Sequence, residues 1–330
     1  MRQLFNVRNS LISLTVLFIL FYALAVYWSF EPDQFDPRER AVAQVNAHGQ
    51  KLVSGYIVTN TLIEVSQTLL NKSGGYLSND VLPPSVMMDN MPAWEFGALE
   101  MVRDMALAMR RDFSRSQSQS LENPDLVKAH PKFNIDHRGW LLPSAESQYQ
   151  EGIDALIRYR DHLAQQSDNT AQFYTRADNL RDWLKQVQKR LGGLSQRLSA
   201  SVGQEAVNTD LAGDASATQS TPTRNQAYLK TSWWDLDNVF YESRGASWAL
   251  IHFLKAVEVD FADALDKKNA LVSLRQIIRD LEATQQTVWS PMILNGSGFG
   301  TMANHSLVMA NYISRANAGL IDLTELLTQG

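Results

Sequence analysis

Cysteine is absent from the 330 residues. Its absence removes disulfides, thiolate nucleophiles, zinc–thiolate sites and iron–sulfur clusters together. A cysteine-free chain suits an oxidising compartment without requiring one. Histidine is scarce. His48, His130, His137, His162, His252 and His305 form no HExxH and no helical pairing at three or four residues, so neither a metal site nor a cofactor is expected. Asp136 and His137 are adjacent, and on regular backbone such side chains point apart. Positive charge is also in short supply. The formal net charge is −5, and Arg2 and Arg8 lie beyond an apolar segment, which leaves the remainder more acidic still. Nucleic acid and an anionic membrane surface both need a positive field, so neither is expected as the main partner.

With 45% hydrophobic and 20% charged residues, the composition is that of an ordinary globular protein, large enough for one large or two ordinary domains. One segment departs from it. Residues 11–28 read LISLTVLFILFYALAVYW, without a charge and with only Ser13 and Thr15 polar. As a helix they rise about 27 Å, close to the hydrocarbon thickness of a bilayer. Tyr27, Trp28 and Phe30 fall at an interfacial aromatic belt, giving an anchor over residues 11–30. Arg2 and Arg8 precede the span, and Glu31, Asp33 and Asp36 follow it. The positive-inside bias puts residues 1–10 in the cytoplasm and the body outside, although Arg38 and Arg40 reduce the contrast. A competing reading takes Ala23-Leu24-Ala25 as the cleavage site of a signal peptide. The apolar run continues past that point, which favours an uncleaved anchor. Either reading exports the body; in a bacterium with two membranes the anchored form is an inner-membrane protein with a periplasmic body.

Proline parses the exported part because it breaks helix interiors. Apolar residues recur at three and four residues over about 38–71, through Val42, Val45, Gly49, Leu52, Tyr56, Thr59, Ile63, Ser66 and Leu70, which predicts one long helix. Residues 71–92 read as loop, 94–113 as helix and 121–143 as irregular, with three prolines. Helices follow over about 144–165 and 169–200, then 235–266, 267–286 and 302–328. Residues 201–226 carry almost no large apolar side chains and read as a flexible linker. It separates helical regions 31–200 and 227–330, which are able to share one core. Strand signal is thin, so the expected fold is all-α: a single N-terminal transmembrane helix and an exported helical bundle with long helices. Around Trp248 the apolar positions spread over roughly 160° of the helix, enough to touch at least two neighbours.

Three stretches carry a resemblance: DNVFYESRGASWALIHFLKAVEVDF (237–261), NALVSLRQIIRDLEATQ (269–285), and WSPMILNGSGFG (289–300) with the ANHSLVMANYISRAN that follows. With FNIDHRGWLLPSAESQY (133–149), they resemble an uncharacterised bacterial family catalogued as domain of unknown function 2333. The resemblance implies a bacterial envelope protein, and it brings no activity and no catalytic residues.

The most unusual local sequence is WSPMILNGSGFGT (289–301), where Gly296, Gly298 and Gly300 alternate. It lacks the lysine of a phosphate loop and the spacing of GxGxxG or GxSxG. The simplest account is a helix connection whose glycines supply positive φ. The helix it opens into carries Asn304, Asn311 and Arg315 on one face, with His305 beside them. Free amides at its N-terminus suit an anion, so Asn295, Ser297, Asn304, His305 and Arg315 form the candidate ligand site. Ser297 and His305 have no evident orienting carboxylate. Trp233, Trp234 and Glu242 suit a glycan, but a glycosidase needs two placed carboxylates, and Glu258 is the available second. The simpler account makes the tryptophans a staple and core anchor at a helix start.

The expected function is therefore a membrane-tethered, non-enzymatic envelope protein that binds an envelope partner or itself. The alternative is an envelope enzyme or ligand-binding protein acting on cell-wall glycan or a lipid-linked anionic substrate.

Overall fold

A computed structural model describes residues 2–116, 121–165, 171–207, 226–290 and 292–329. The first helix, α1 (Arg2–Trp28), carries the 22-residue apolar span Val7–Trp28, which has none of its most apolar stretch buried against the body. It is long and apolar enough to cross a membrane or to serve as a signal sequence. Asp36 then starts α2 (Pro37–His48) as its N-cap, accepting from the Arg38 and Glu39 amides at 2.8 and 3.0 Å, with Pro37 at the first helical position.

The long helix expected over 38–71 is two helices. Gly49, at φ +61, caps α2 in the left-handed region. The chain restarts at Gly55, φ +83, as α3 (Tyr56–Asn71). Gly55 has no side chain to cap the new helix, and Asp260 does so from across the bundle, accepting from the Val58 amide at 2.8 Å.

The bundle continues through α4 (Asn90–Ala108), α5 (Pro124–Phe133), α6 (Ala145–Gln165) and α7 (Ala177–Ser199). Helix α5 corrects the expectation of irregular chain over 121–143. Asn123 caps it, accepting from the Asp125 and Leu126 amides, and Pro124 sits at its first position, where a missing N–H costs nothing. Helix α7 runs straight through Gly192-Gly193, which interrupt the apolar pattern but not the helix. The ends of the expected linker are ordered, another correction: β1 (Gln204–Val207) pairs antiparallel with β2 (Gln226–Leu229), Gln204 opposite Leu229. Residues 208–225 of that linker lie outside the described residues. Helices α8 (Leu236–Asp260), α9 (Ala262–Lys267), α10 (Leu271–Ala283) and α11 (His305–Thr328) complete an all-α body with one short ribbon.

One hydrophobic cluster runs from Ala41 to Leu327 and draws on helices from both sides of residues 201–226. At its centre α8 packs against α4, and α7 packs against α11. Helices α4 and α8 approach backbone to backbone. A Cβ on Gly97 would collide with the Glu242 carbonyl oxygen, and one on Gly245 with the Trp94 carbonyl oxygen. Gly97→Ala and Gly245→Ala should each cost about 1–3 kcal/mol by forcing the helices apart. The double variant should cost less than the sum, because the first substitution already opens the crossing. Denaturant unfolding of the four proteins measures both effects, and full additivity would mean the sites are independent.

The element order gives the bundle two distinct ends. Glu31, Arg244 near the start of α8, and Thr284 just after α10 meet at one end. Asp260 and Val58 meet at the other. Helix α1 joins the body at the first, the anchored end. There Trp28 packs against Gly74, and any side chain on Gly74 would strike the indole.

A half-buried carboxyl and a buried imidazole have opposite effects on stability. Burial raises the Asp260 carboxyl to about 7, against the pull of the Val58, Gly55 and Ile57 amides. The folded chain therefore holds an extra proton between about 4 and 7, and stability falls as pH rises through that window. Burial lowers His252 to about 4, so between about 4 and 6.5 the unfolded chain holds the extra proton and stability rises with pH. Asp260→Asn removes only the first effect. Relative to wild type, the variant should gain stability steadily from pH 4 to 7 and level off above. A flat difference in denaturant titrations across that range would show that the amides hold Asp260 ionised.

Candidate functional site

The glycine loop is built on its own backbone. Gly296 N–H donates to the Ala303 carbonyl at 3.0 Å and His305 N–H to the Leu294 carbonyl at 2.8 Å, with Asn295 opposite Asn304 in a single bridge. Asn304 caps α11: its Oδ1 accepts from the Leu307 amide at 2.8 Å, and its Nδ2 donates to the Gly296 carbonyl at 2.6 Å. The His305 ring accepts from the Leu294 amide through Nδ1 at 3.0 Å. Of the three glycines only Gly298 has a positive φ, +83. Gly296 is needed for space, since a Cβ there would strike the Met302 carbonyl oxygen. Asn295, Asn304 and His305 thus come together, Ser297 stands exposed at the loop tip, and two helix-start amides are already engaged. Arg315 is not brought to this group. It lies about 15 Å further along α11, paired with Asp280 of α10 at 2.6 Å.

A polar concavity lies elsewhere on the anchored end. A cavity of about 820 Å³ opens between the starts of α4 and α8, the end of α7 and the loops before them. Asp80, Asp89, Asp235 and Glu242 face it with His137, Arg138 and Arg197. A second cavity, about 470 Å³, shares Phe96, Arg197 and Glu242 and continues the groove along α7 to Arg190. Charges alternate and pair along its floor. Arg197 holds Glu242 in a two-pronged contact at 2.8 and 2.5 Å. Arg190 holds Asp104 at 3.1 and 3.0 Å and also pairs with Glu100, which Arg103 meets at 2.7 Å. Burial raises the Asp104 carboxyl despite Arg190. At the mouth, burial and then the charge of Asp89 raise Asp237. Burial, then Arg138 and Arg103, lower His137, which packs on the Phe96 ring at 4.7 Å. Its Nδ1 lies 3.8 Å from Asp136, because residues 136–137 lie in a turn and not on the regular backbone where neighbouring side chains point apart.

Glu242 and Glu258 do not converge. Sixteen residues of α8 put them about 24 Å apart along the axis, and Glu258 pairs with Arg275. Trp233 and Trp234 are not a core anchor either: both indoles are exposed, and they border a further cavity with Asp89, Asp237, Leu294 and Asn295. Among the described residues no group of three or more His, Asp or Glu is placed to hold a metal ion.

Two side-chain clusters had no local signal in the sequence. The first is the join between tether and body. Arg244 donates to Glu31 at 2.7 and 2.5 Å and to the Thr284 and Gln286 carbonyls at 2.9 and 2.8 Å. His252 donates from Nδ1 to the Trp248 carbonyl at 2.7 Å, which leaves Nε2 to accept from the Phe35 amide at 3.0 Å. The Phe35 ring stacks on His252 at 4.1 Å. The second cluster fixes the loop that receives Trp28. Buried Glu95 accepts from the Leu77 and Ser78 amides and pairs with buried Lys72 at 2.6 Å. Apart from the His252–Trp248 contact within α8, these partners come from positions 17 to 217 residues apart, beyond the reach of any spacing rule.

The family model for an uncharacterized protein conserved in bacteria (DUF2333) matches residues 2–330. No curated protein and no solved structure matches the chain. A helical body joined at one end to an apolar helix, with a groove of paired charges beside the join, is thus the architecture of a bacterial protein that belongs to the DUF2333 family.

Proposed function

We propose that this protein is a single-pass inner-membrane protein with a periplasmic body, and that it works by binding another envelope protein or a second copy of itself. The observation that carries this reading is the groove of paired charges along α4, α7 and α8. Arg197–Glu242 and Arg190–Asp104 are partly exposed, so each arginine can exchange its internal carboxylate for one on a partner at little net cost. The same pairing disfavours catalysis by Glu242, because the Arg197 guanidinium engages both of its carboxylate oxygens. The apolar span runs on to Trp28, past the Ala23-Leu24-Ala25 site, which supports an uncleaved anchor.

A photo-crosslinking residue at Gln186 or Lys189, in the groove, should yield a discrete adduct in intact cells. The same residue at Val272, on the opposite end, should not. Charge reversal at Arg190 and Arg197 should abolish the groove adduct at unchanged protein level. A groove without adducts, or equal adducts at Val272, would overturn the reading. The topology is tested separately by a reporter enzyme fused after residue 330 that is active only in the periplasm: activity is expected, and a silent fusion would place the body in the cytoplasm.

A further inference from the structure

The distribution of exposed apolar side chains over the body is uneven. Outside α1 and the Phe30 that follows it, the exposed tryptophans and phenylalanines among the described residues are Trp140, Trp233, Trp234, Trp289 and Phe299. Every one lies in a segment between the main helices at the anchored end, Trp233 and Trp234 in a short 3-10 turn. Phe299 and Leu142 are fully exposed at 107% and 97%, Trp289 is 93% exposed and Met87 82%. The opposite end has no exposed tryptophan or phenylalanine among the described residues, only scattered aliphatics such as Leu121 and Val272.

These loops adjoin one another. Trp233 and Trp234 share a cavity with Met292 and Met302. Asn79 donates to the Gly139 carbonyl at 3.0 Å, which ties the loop of Leu82 and Met87 to that of Trp140 and Leu142. Phe30 shares a cavity with Thr287 and Val288, next to Trp289. Soluble surfaces seldom gather so many aromatic rings, and such a gathering marks a contact surface.

We infer that this rim is a second membrane-contact surface: it dips into the interfacial layer of the bilayer that α1 crosses, so that the body sits on the membrane. The inference rests on reading α1 as an uncleaved span. Bilayer is the occupant because Trp28, the last residue of the span, packs on Gly74 in the same set of loops. The rim therefore starts at the height where the hydrocarbon ends. Its residue types also fit, since indole rings prefer the headgroup level and loop-tip Leu, Met and Phe the layer beneath. Charge does not drive the contact. Asp80, Asp89, Asp235 and Asp237 stand at the same end, so attachment comes from insertion and should be insensitive to salt. A consequence for the groove follows: its mouth opens at the membrane surface, where a partner's juxtamembrane segment would meet it.

The absence of cysteine allows a direct test on the full chain. Single variants Met87→Cys, Leu142→Cys, Trp234→Cys and Phe299→Cys carry a nitroxide in proteoliposomes of phosphatidylcholine, with and without phosphatidylglycerol. Accessibility to oxygen is compared with accessibility to a polar nickel chelate. Leu17→Cys and Val272→Cys are the references for hydrocarbon and water. Labels at the rim should favour oxygen well above Val272, equally in both lipids and at high salt. Rim labels that match Val272 while Leu17 reads hydrocarbon would overturn the inference and leave the anchor intact. A Leu17 label that reads water would instead overturn the anchor itself. Low accessibility to both reagents with spin–spin broadening would place a second copy of the chain on the rim and also reject the bilayer contact.

Discussion

Arg244→Ala should lower the unfolding free energy of the full chain in detergent by about 3–5 kcal/mol. The side chain is buried, and it serves both the tether and the α10 end: Glu31 on one side, the Thr284 and Gln286 carbonyls on the other. Its removal leaves a carboxylate and two carbonyls short of partners in a half-buried site. The cost arises from that orphaning rather than from the intrinsic worth of the ion pair, because an ion pair gains little over well-packed apolar groups. Arg244→Lys should recover only a small part. An ammonium on a thinner stem does not reproduce the fork that meets Glu31 at two oxygens and the carbonyls at a third nitrogen. Glu31→Gln should be milder than Arg244→Ala, since the amide still accepts one bond. A loss below about 1 kcal/mol for Arg244→Ala would mean the tether is not fastened there.

Trp248→Ala is expected to cost about 3–5 kcal/mol as well, through the cavity it leaves. The indole is fully buried and touches three aromatic neighbours: Trp94 at 5.1 Å, His252 at 4.4 Å and Phe35 at 6.2 Å between ring centroids. Phe35 comes from the tether and Trp94 from α4, so the ring couples the join to the centre of the core. Truncation should also expose the Phe35–His252 stack to water. The expected sign is an upward shift of His252 titration towards its ordinary range, followed by nuclear magnetic resonance of the imidazole. Trp248→Phe should restore most of the stability. A loss below about 1 kcal/mol for the alanine variant would place that flank of α8 in solvent.

Much of the helical architecture is readable from local pattern, because the long helices present apolar stripes of the right period. The stripe on α8 is broad, and the structure surrounds it with α3, α4, α7, α10 and α11. The break between α2 and α3 is not readable that way. Gly49 and Leu52 fall at seam positions of a continuing period, and periodicity is blind to a left-handed cap followed by a restart in phase. Helix α5 is hidden for a related reason. Asn123-Pro124-Asp125 is a helix start, with a cap and a proline at the first position, but three prolines within twenty residues suggest broken chain. Trp233 and Trp234 mislead in the other direction: large rings beside a helix start suggest a core anchor, and only the three-dimensional structure puts them outside.

The candidate site was legible in part. Asn295, Asn304 and His305 are assembled as the loop pattern suggests, since the loop closes on the start of the helix that carries two of them. Arg315 shares their helical face but not their height, and helical phase alone cannot supply the axial distance. The groove, the join and the loop that receives Trp28 depend on Arg190, Arg197, Arg244 and Lys72 meeting acids on other elements. Such pairings follow from tertiary packing, which no spacing in one chain encodes.

The central claim is that the span and the body form one rigid piece that holds the groove and its aromatic rim at the bilayer. Its most direct test is the distance distribution between nitroxides at Tyr27→Cys, at the end of the span, and Val272→Cys, at the far end of the body, measured by pulsed electron resonance in proteoliposomes. A single narrow distribution is predicted, broadening when Arg244→Ala is added. A broad distribution in the otherwise unaltered chain would contradict the account, because the body would then swing freely on its tether.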